Sequence, residues 1–167
     1  MKSAWQSIND KVFKVITPTA ASFGLVGVNT SSLEDFPDTG GAGSFRKIID
    51  WKPFAEVLNA SGEGGEQQYV DYQLLNDKTS QQRRLPTFKN ATGLTITIPD
   101  DPDDAGRKVA DQADADTLPR AVRAVLPNKV VILYNAYVSV NSTPKMDANE
   151  IMTVEVKLAL LSKPVRY

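Results

Sequence analysis

The residues best suited to chemistry lie in an acidic segment, residues 100–116, which contains seven aspartates. Counted from Asp101, this segment supplies the first, third and sixth residues of an EF-hand-like calcium loop. Ala105 and Gln112 stand at its fifth and twelfth positions, where such a loop needs an oxygen ligand and a bidentate glutamate. Two principal ligands are therefore missing. We expect a solvated turn whose aspartates cap a helix over residues 104–113.

The side chains that perform most enzymatic catalysis are missing from the sequence. The chain has no histidine and no cysteine, which removes the commonest general base, the commonest metal ligand and the thiol nucleophile. The glycine-containing stretches at 40–43 and 61–65 lack the lysine or the strand-to-helix setting of a phosphate-binding loop. Aspartate-only hydrolase chemistry stays open, because spatial pairing of carboxylates is invisible in a sequence. We expect a protein that is not an enzyme, with no cofactor and no bound metal.

Length and composition indicate one globular domain spanning residues 1–167. The apolar fraction is 41% and the charged fraction 23%, both ordinary for a soluble protein. No apolar run is long enough for a transmembrane helix, and residues 1–10 lack the apolar stretch of a signal peptide, so we expect no membrane anchor. The net charge of −1 divides into −5 over residues 100–116 and +4 over residues 117–167, with residues 1–99 neutral. Such blocks suit a surface that meets a differently charged neighbour, although folding could also mix them.

Hydrophobic periodicity predicts a β-rich chain. Alternation is clearest in residues 93–99 and 149–161, while residues 129–141 are apolar on both sides in their first half. Further strands are predicted at residues 11–17, 45–51 and 66–75, with turns at 61–66 and 76–82 and one or two helical turns at 53–60. Apolar residues at helical spacing predict the best helix over residues 117–126, beginning with Thr117 and Pro119.

These elements define the expected architecture. The fold class is mainly β, with two packed antiparallel sheets forming a sandwich or barrel, one flanking α-helix and a long loop in the first third. Residues 1–18 form an N-terminal arm and first strand, and residues 19–44 form the loop. A loop of this length usually has a function or is ordered by a partner. Leu33 and Phe36 have little reason to sit on a permanently solvated loop, although it could also fold back over its own core.

The second half of the chain resembles the tail tube proteins of tailed bacteriophages. The resemblance lies in QRRLPTFKNATGLTITIPDD (82–101), LPNKVVILYNAYVSVN (126–141) and NEIMTVEVKLALLSKPVRY (149–167). It implies two packed sheets with a helix at the side. It also implies homohexameric rings that stack into a hollow tube, contact other tail proteins and let DNA pass without sequence-specific binding. The implied location is the virion tail, assembled in the host cytoplasm.

The same resemblance places contacts between copies in the N-terminal region and the long loop. Leu33, Phe36 and Phe45 are therefore candidate inter-subunit contacts. The charge blocks add Asp111, Asp114 and Asp116 on the acidic segment, where complementary charge on a neighbour would guide encounter. Two alternatives remain at this point: the inner tube of a bacterial contractile secretion system, and a monomeric β-sandwich binding or decoration module.

Overall fold

The computed structural model describes residues 2–19, 22–38, 42–74 and 81–167. The turn predicted at residues 76–82 lies largely outside these ranges. In chain order the elements are β1 (Lys2–Ser3), a short 3₁₀ helix (Gln6–Ile8), β2 (Val15–Ile16), β3 (Gly24–Leu25), β4 (Gly43–Ser44), β5 (Asn59–Gly64), β6 (Gln67–Tyr72), β7 (Arg83–Lys89), β8 (Thr92–Pro99), α1 (Ala105–Asp116), β9 (Arg120–Val125), β10 (Val131–Val140), β11 (Thr153–Leu160) and β12 (Val165–Arg166).

A six-stranded antiparallel sheet forms the centre of the fold. Its order is β12–β10–β11–β8–β5, and β9 pairs with β10 on the side away from β11. Three two-stranded sheets complete the described chain: β1 with β4, β2 with β3, and β6 with β7. The mainly β class with one flanking helix is confirmed.

The core lies between one face of this sheet and α1. Ile96 and Ile98 of β8 pack there with Val154, Val156 and Leu158 of β11, as their alternation predicts. In β10, buried residues are consecutive at first and alternate later, which also agrees with the sequence. Ala110 and Ala113 are the small helix residues that let α1 approach the sheet closely.

The helix predicted at the acidic segment is present and begins as expected. Asp104 is its N-cap, and one carboxylate oxygen accepts the Arg107 backbone N–H at 3.0 Å. The other oxygen accepts the Ala55 N–H at 3.1 Å, which fastens an extended segment to the helix start. Thr117 ends α1 in the left-handed conformation, at φ 52°.

The helix predicted at residues 117–126 is wrong. Arg120–Val125 forms β9 and pairs with β10 from Arg120–Ala136 to Val125–Val131. A tight turn at Leu126 joins the two strands, with Lys129 at φ 66°. Arginine and alanine favour a helix weakly, and strand pairing with β10 overrides that preference.

Several predictions in the first half also fail. Residues 45–51 form no strand, and residues 53–60 contain no helical turn. The turn predicted at 61–66 is mostly strand β5, whose sequence NASGEG has no apolar pattern. The strand predicted at 11–17 shrinks to two residues. Strand β6 confirms the strand predicted at 66–75, but its side chains are more exposed than a half-buried strand requires.

Candidate assembly surfaces

The face of the six-stranded sheet that α1 does not cover is polar. Residues between the core positions of each strand project to this face. The register aligns Ser139, Lys157, Thr95 and Ser61 in one row across β10, β11, β8 and β5. A neighbouring row aligns Glu155, Thr97 and Asn59. These two rows are therefore built mainly from hydroxyl, amide and charged side chains. Leu133 and Tyr137 of β10 project to the same face, and Leu133 is buried there.

The charge on the polar face is nearly balanced. Lys157 Nζ lies 4.0 Å from Glu155 Oε2, and both side chains are more than half exposed. Glu63 pairs with Gly93 in the next row and adds one negative charge. Arg123 of β9, opposite Leu133, adds one positive charge and lies over the Trp51 ring at 4.9 Å. The described residues of this face therefore carry two basic and two acidic side chains, and the two basic ones lie on different strands.

Both ends of the six-stranded sheet have open backbone edges. Strand β5 pairs only with β8 among the described residues. At the other end, β9 covers β10 only as far as Ala136. Along a strand, the backbone N–H and C=O groups of every second residue point to the same neighbouring strand. In β10 the backbone groups of Ile132, Tyr134 and Ala136 bind β9. Those of Val138 and Val140 point to this same side, where no described strand pairs with them. An open edge is a template for pairing with another chain.

The β6–β7 hairpin is a second exposed surface. Its large apolar and aromatic side chains are exposed: Tyr69, Val70, Leu85 and Phe88 are each more than half exposed. An ion pair between Arg84 and Asp71, at 2.8 Å, joins the two strands on the face that also carries Tyr69. Two strands that no other described element covers are marginally stable alone, so these exposed apolar side chains make the hairpin a candidate contact surface.

The three apolar candidates in the first third have different surroundings. Leu33 is 66% exposed, as a contact residue would be. Phe36 is only 8% exposed, and its ring meets Trp5 edge-on at 5.5 Å, while Trp5 Nε1 donates to the Pro37 carbonyl. Phe45 is 60% exposed and contacts the ring of Phe23 at 4.7 Å. Two aromatic pairs thus hold parts of the loop within one copy, and Leu33 is the most exposed of the three candidates.

The three acidic candidates all lie on α1, and two of them have internal partners. Asp111 accepts from Arg107 Nε at 3.0 Å, and Arg107 also meets Asp100 at 3.3 Å. Asp116 is ion-paired with Arg120.

The backbone N–H of Leu118 donates to Asp116, and together with the Arg120 guanidinium it lowers the pKa of the Asp116 carboxyl. Asp114 has no ion pair within the described residues. The fold therefore neutralises part of the acidic block locally.

The remaining aspartates of the acidic segment have structural contacts. Asp101 accepts the Asp103 N–H at 2.9 Å, and Asp103 pairs with Lys108 at 3.0 Å. Within the described ranges no group of three or more acidic, histidine or cysteine side chains could hold a metal ion. The same ranges contain no helix with the length and apolar content needed to cross a membrane.

Comparison with known proteins identifies the protein family of this chain. The model of the phage tail tube protein family matches residues 3–167. The chain belongs to this family. It is a structural component of the virion tail, and its role is not enzymatic.

Two solved chains from gene transfer agent particles are similar to this tail tube protein in fold. A chain from the tail of an empty gene transfer agent particle, with C6 symmetry, has a TM-score of 0.51 at 12% identity, covering 68% of this chain and 84% of that chain. A chain of the native gene transfer agent virion gives 0.51 at 12% identity, with 68% and 86% covered. A sheath/tube terminator of an extracellular contractile injection system reaches only 0.44 at 16% identity, with 75% and 99% covered. No curated protein matches the chain.

Sequence reasoning missed the two surfaces most suited to assembly. The open edges of this tail tube protein depend on which strands pair, and β5 gives no strand signal in the sequence. Strand β7 was also missed, because Pro86 and three basic residues interrupt its apolar pattern.

Proposed function

We propose that this tail tube protein forms homohexameric rings that stack into a hollow tube, assembled in the host cytoplasm, through which phage DNA passes into the host. The main observation in support is the polar face of the six-stranded sheet, which lies between two strand edges that no described strand covers. An open edge at each end lets a sheet continue from one copy into the next, and the uncovered face then becomes the lining of a closed ring.

Charge supports the choice of the polar face as the lining of the bore. DNA must slide, so the lining has to lack clusters of basic groups that would hold phosphates. The polar face offers Lys157 paired with Glu155, together with hydroxyl groups such as those of Thr95 and Thr97. The opposite face cannot line a bore, because α1 and the apolar core occupy it.

The open edges support a head-to-tail ring. Strand β5 and the Val138–Val140 end of β10 are different surfaces, so pairing one with the other is heterologous and closes when the rotation per copy completes a circle. Six copies are proposed because of the family resemblance and because the similar tail of the gene transfer agent has C6 symmetry.

Disulfide trapping between the two edges tests the ring. The chain has no cysteine, so Ser61→Cys on β5 and Ser139→Cys on β10 add the only thiols. Within one copy these positions are three strand spacings apart, about 14 Å, which is beyond disulfide reach. Oxidation of assembled protein should therefore give a ladder of covalent oligomers that ends at the closed ring.

Single variants and register variants serve as controls. Ser61→Cys alone or Ser139→Cys alone should not cross-link, since a heterologous contact never brings identical residues together. Cross-linking by a single variant would indicate a two-fold dimer instead. Because the register between copies can differ by two residues, Asn59→Cys and Glu63→Cys are paired with Ser139→Cys as well. Failure of all three pairs in assembled protein would contradict the proposed seam.

DNA passage is tested by adding charge to the bore. Thr95→Lys would place a cation on the polar face of every copy, and we expect slower DNA ejection, most strongly at low salt. Gln112→Lys is the matched control, because Gln112 is exposed on α1 on the opposite side of the sheet. Equal ejection rates for the two variants would show that the polar face does not meet DNA.

A further inference from the structure

Tyr167 connects the six-stranded sheet to the short hairpin formed by β2 and β3. Its backbone pairs with Val131 in both directions, with both N···O distances at 2.9 Å. Its hydroxyl accepts the Lys14 backbone N–H at 3.0 Å and donates to the Val26 carbonyl at 3.2 Å. One hydroxyl thus uses both its donor and its acceptor capacity on the hairpin.

The Tyr167 hydroxyl takes the place of one backbone hydrogen bond between the two strands of the hairpin. The paired residues of the hairpin are Val15 with Leu25 and Ile16 with Gly24. The next pair would be Lys14 with Val26, and Val26 N–H does donate to the Lys14 carbonyl at 3.0 Å. The Lys14 N–H, which would complete that pair, donates to the tyrosine hydroxyl instead.

Two more polar groups hold the start of the same segment. The Asp10 carbonyl accepts from Asn135 Nδ2 at 2.9 Å and from Ser162 Oγ at 2.8 Å. In contrast, Val15 and Ile16 of the hairpin are about half exposed. Strand β2 thus buries little apolar surface, whereas Leu25 of β3 is partly buried, so hydrogen bonds make a substantial part of the attachment to the sheet.

We infer that the Tyr167 hydroxyl, with the Asn135 and Ser162 side chains, is a polar clasp that positions the β2–β3 hairpin on the sheet and can open without unfolding it. Each neutral hydrogen bond contributes little net free energy, so opening costs far less than disrupting the apolar core. Tyr167 is the residue that positions the hairpin, because its hydroxyl bridges the Lys14 N–H and the Val26 carbonyl, which would otherwise bind each other. This inference does not depend on the proposed tube.

Distance measurement between spin labels tests the clasp. Lys14→Cys marks the hairpin and Ser139→Cys marks the sheet, in a chain that has no other cysteine. Labelled protein is diluted into an excess of unlabelled protein, so that only distances within one copy are recorded. We expect a narrow distance distribution in the parent, a broad one after Tyr167→Phe and an intermediate one after Ser162→Ala. Hydrogen exchange of the Val26 amide should become about two- to tenfold faster in Tyr167→Phe.

Tyr137→Phe is the matched control. Tyr137 lies on β10, is half exposed, and its hydroxyl has no hydrogen bond within the described residues. Its removal should leave the distribution narrow. A parent-like distribution in Tyr167→Phe, with or without a lower melting temperature, overturns the clasp, and so does equal broadening in Tyr137→Phe. Should Tyr167→Phe fail to fold, an unchanged distribution in Ser162→Ala overturns it.

Discussion

The six-stranded sheet and the β6–β7 hairpin use apolar residues in opposite ways. On β11, Val154, Val156 and Leu158 are 1%, 0% and 3% exposed under α1. On the hairpin, Leu85 and Phe88 are 56% and 67% exposed. The first region is complete within one copy, and the second has apolar surface without a covering layer. The difference separates residues that fold the subunit from residues available to join it to another.

The largest expected effect comes from truncating the buried region. Leu158→Ala should lower the free energy of unfolding by about 2–5 kcal/mol, because it leaves a cavity between β11 and α1. Chemical denaturation of unassembled protein measures this loss. A change below about 1 kcal/mol would show that the core does not hold the subunit together.

The same truncation on the hairpin sharpens the comparison. Leu85→Ala should change the free energy of unfolding of unassembled protein by less than about 0.5 kcal/mol, since the side chain is already exposed. It should nevertheless reduce assembly, as measured by light scattering. Normal assembly with reduced stability would reverse the roles of the two regions.

A smaller effect is expected where α1 meets the extended segment before β5. A Cβ at Gly106 would lie 2.7 Å from the Pro53 carbonyl oxygen and 2.8 Å from the Phe54 backbone nitrogen. Gly106→Ala should therefore destabilise the subunit by about 1–3 kcal/mol, more than the gain in helix propensity of about 1 kcal/mol. Gln112→Ala, on the exposed side of the helix, should be neutral or slightly stabilising. A stabilised Gly106→Ala would show that this contact is loose.

A smaller effect again concerns the acidic candidates, and it is kinetic. Changing Asp111, Asp114 and Asp116 to Asn should slow assembly at low salt and weaken its dependence on ionic strength, because exposed charges act mainly on encounter rates. The single variant Asp114→Asn should retain much of this effect, since Asp111 and Asp116 are paired within the chain. A triple variant that assembles at the parent rate with the same salt dependence would make these aspartates solubilising groups only.

Stability should also depend on Asp116 at low pH. Its carboxyl has a pKa below the ordinary 3.8, so its contribution is present above that pH and is lost as the pH falls through the lowered value. Acid unfolding of Asp116→Asn should therefore be slightly less steep than that of the parent. Identical acid transitions would show that the Leu118 and Arg120 contacts do not persist in solution.

The sequence predicts the parts of this fold that depend on local periodicity. Strands β8 and β11 alternate clearly, and Asp104 marks the start of α1. Strand β9 was predicted as a helix because RAVRAV also satisfies helical spacing, and only its pairing with β10 decides between the two.

The assembly surfaces are less predictable because they depend on pairing across the sheet. Strand β5 is a strand through its bonds to β8, not through its own residues. The internal contacts of Phe36 with Trp5 likewise join residues 31 positions apart, which no local pattern reveals. Contacts of Leu33 and Phe45 with another copy, and ordering of the loop over residues 19–44 by a partner, stay predictions.

Electron microscopy of the purified protein tests the central claim most directly. The account predicts hollow rings or tubes of six copies per turn, in which β5 of one copy pairs with the Val138–Val140 edge of the next. The polar face bearing Thr95 and Lys157 should line the bore, with α1 on the outer side. Monomers that never assemble, filaments without a channel, or a bore lined by α1 would contradict it.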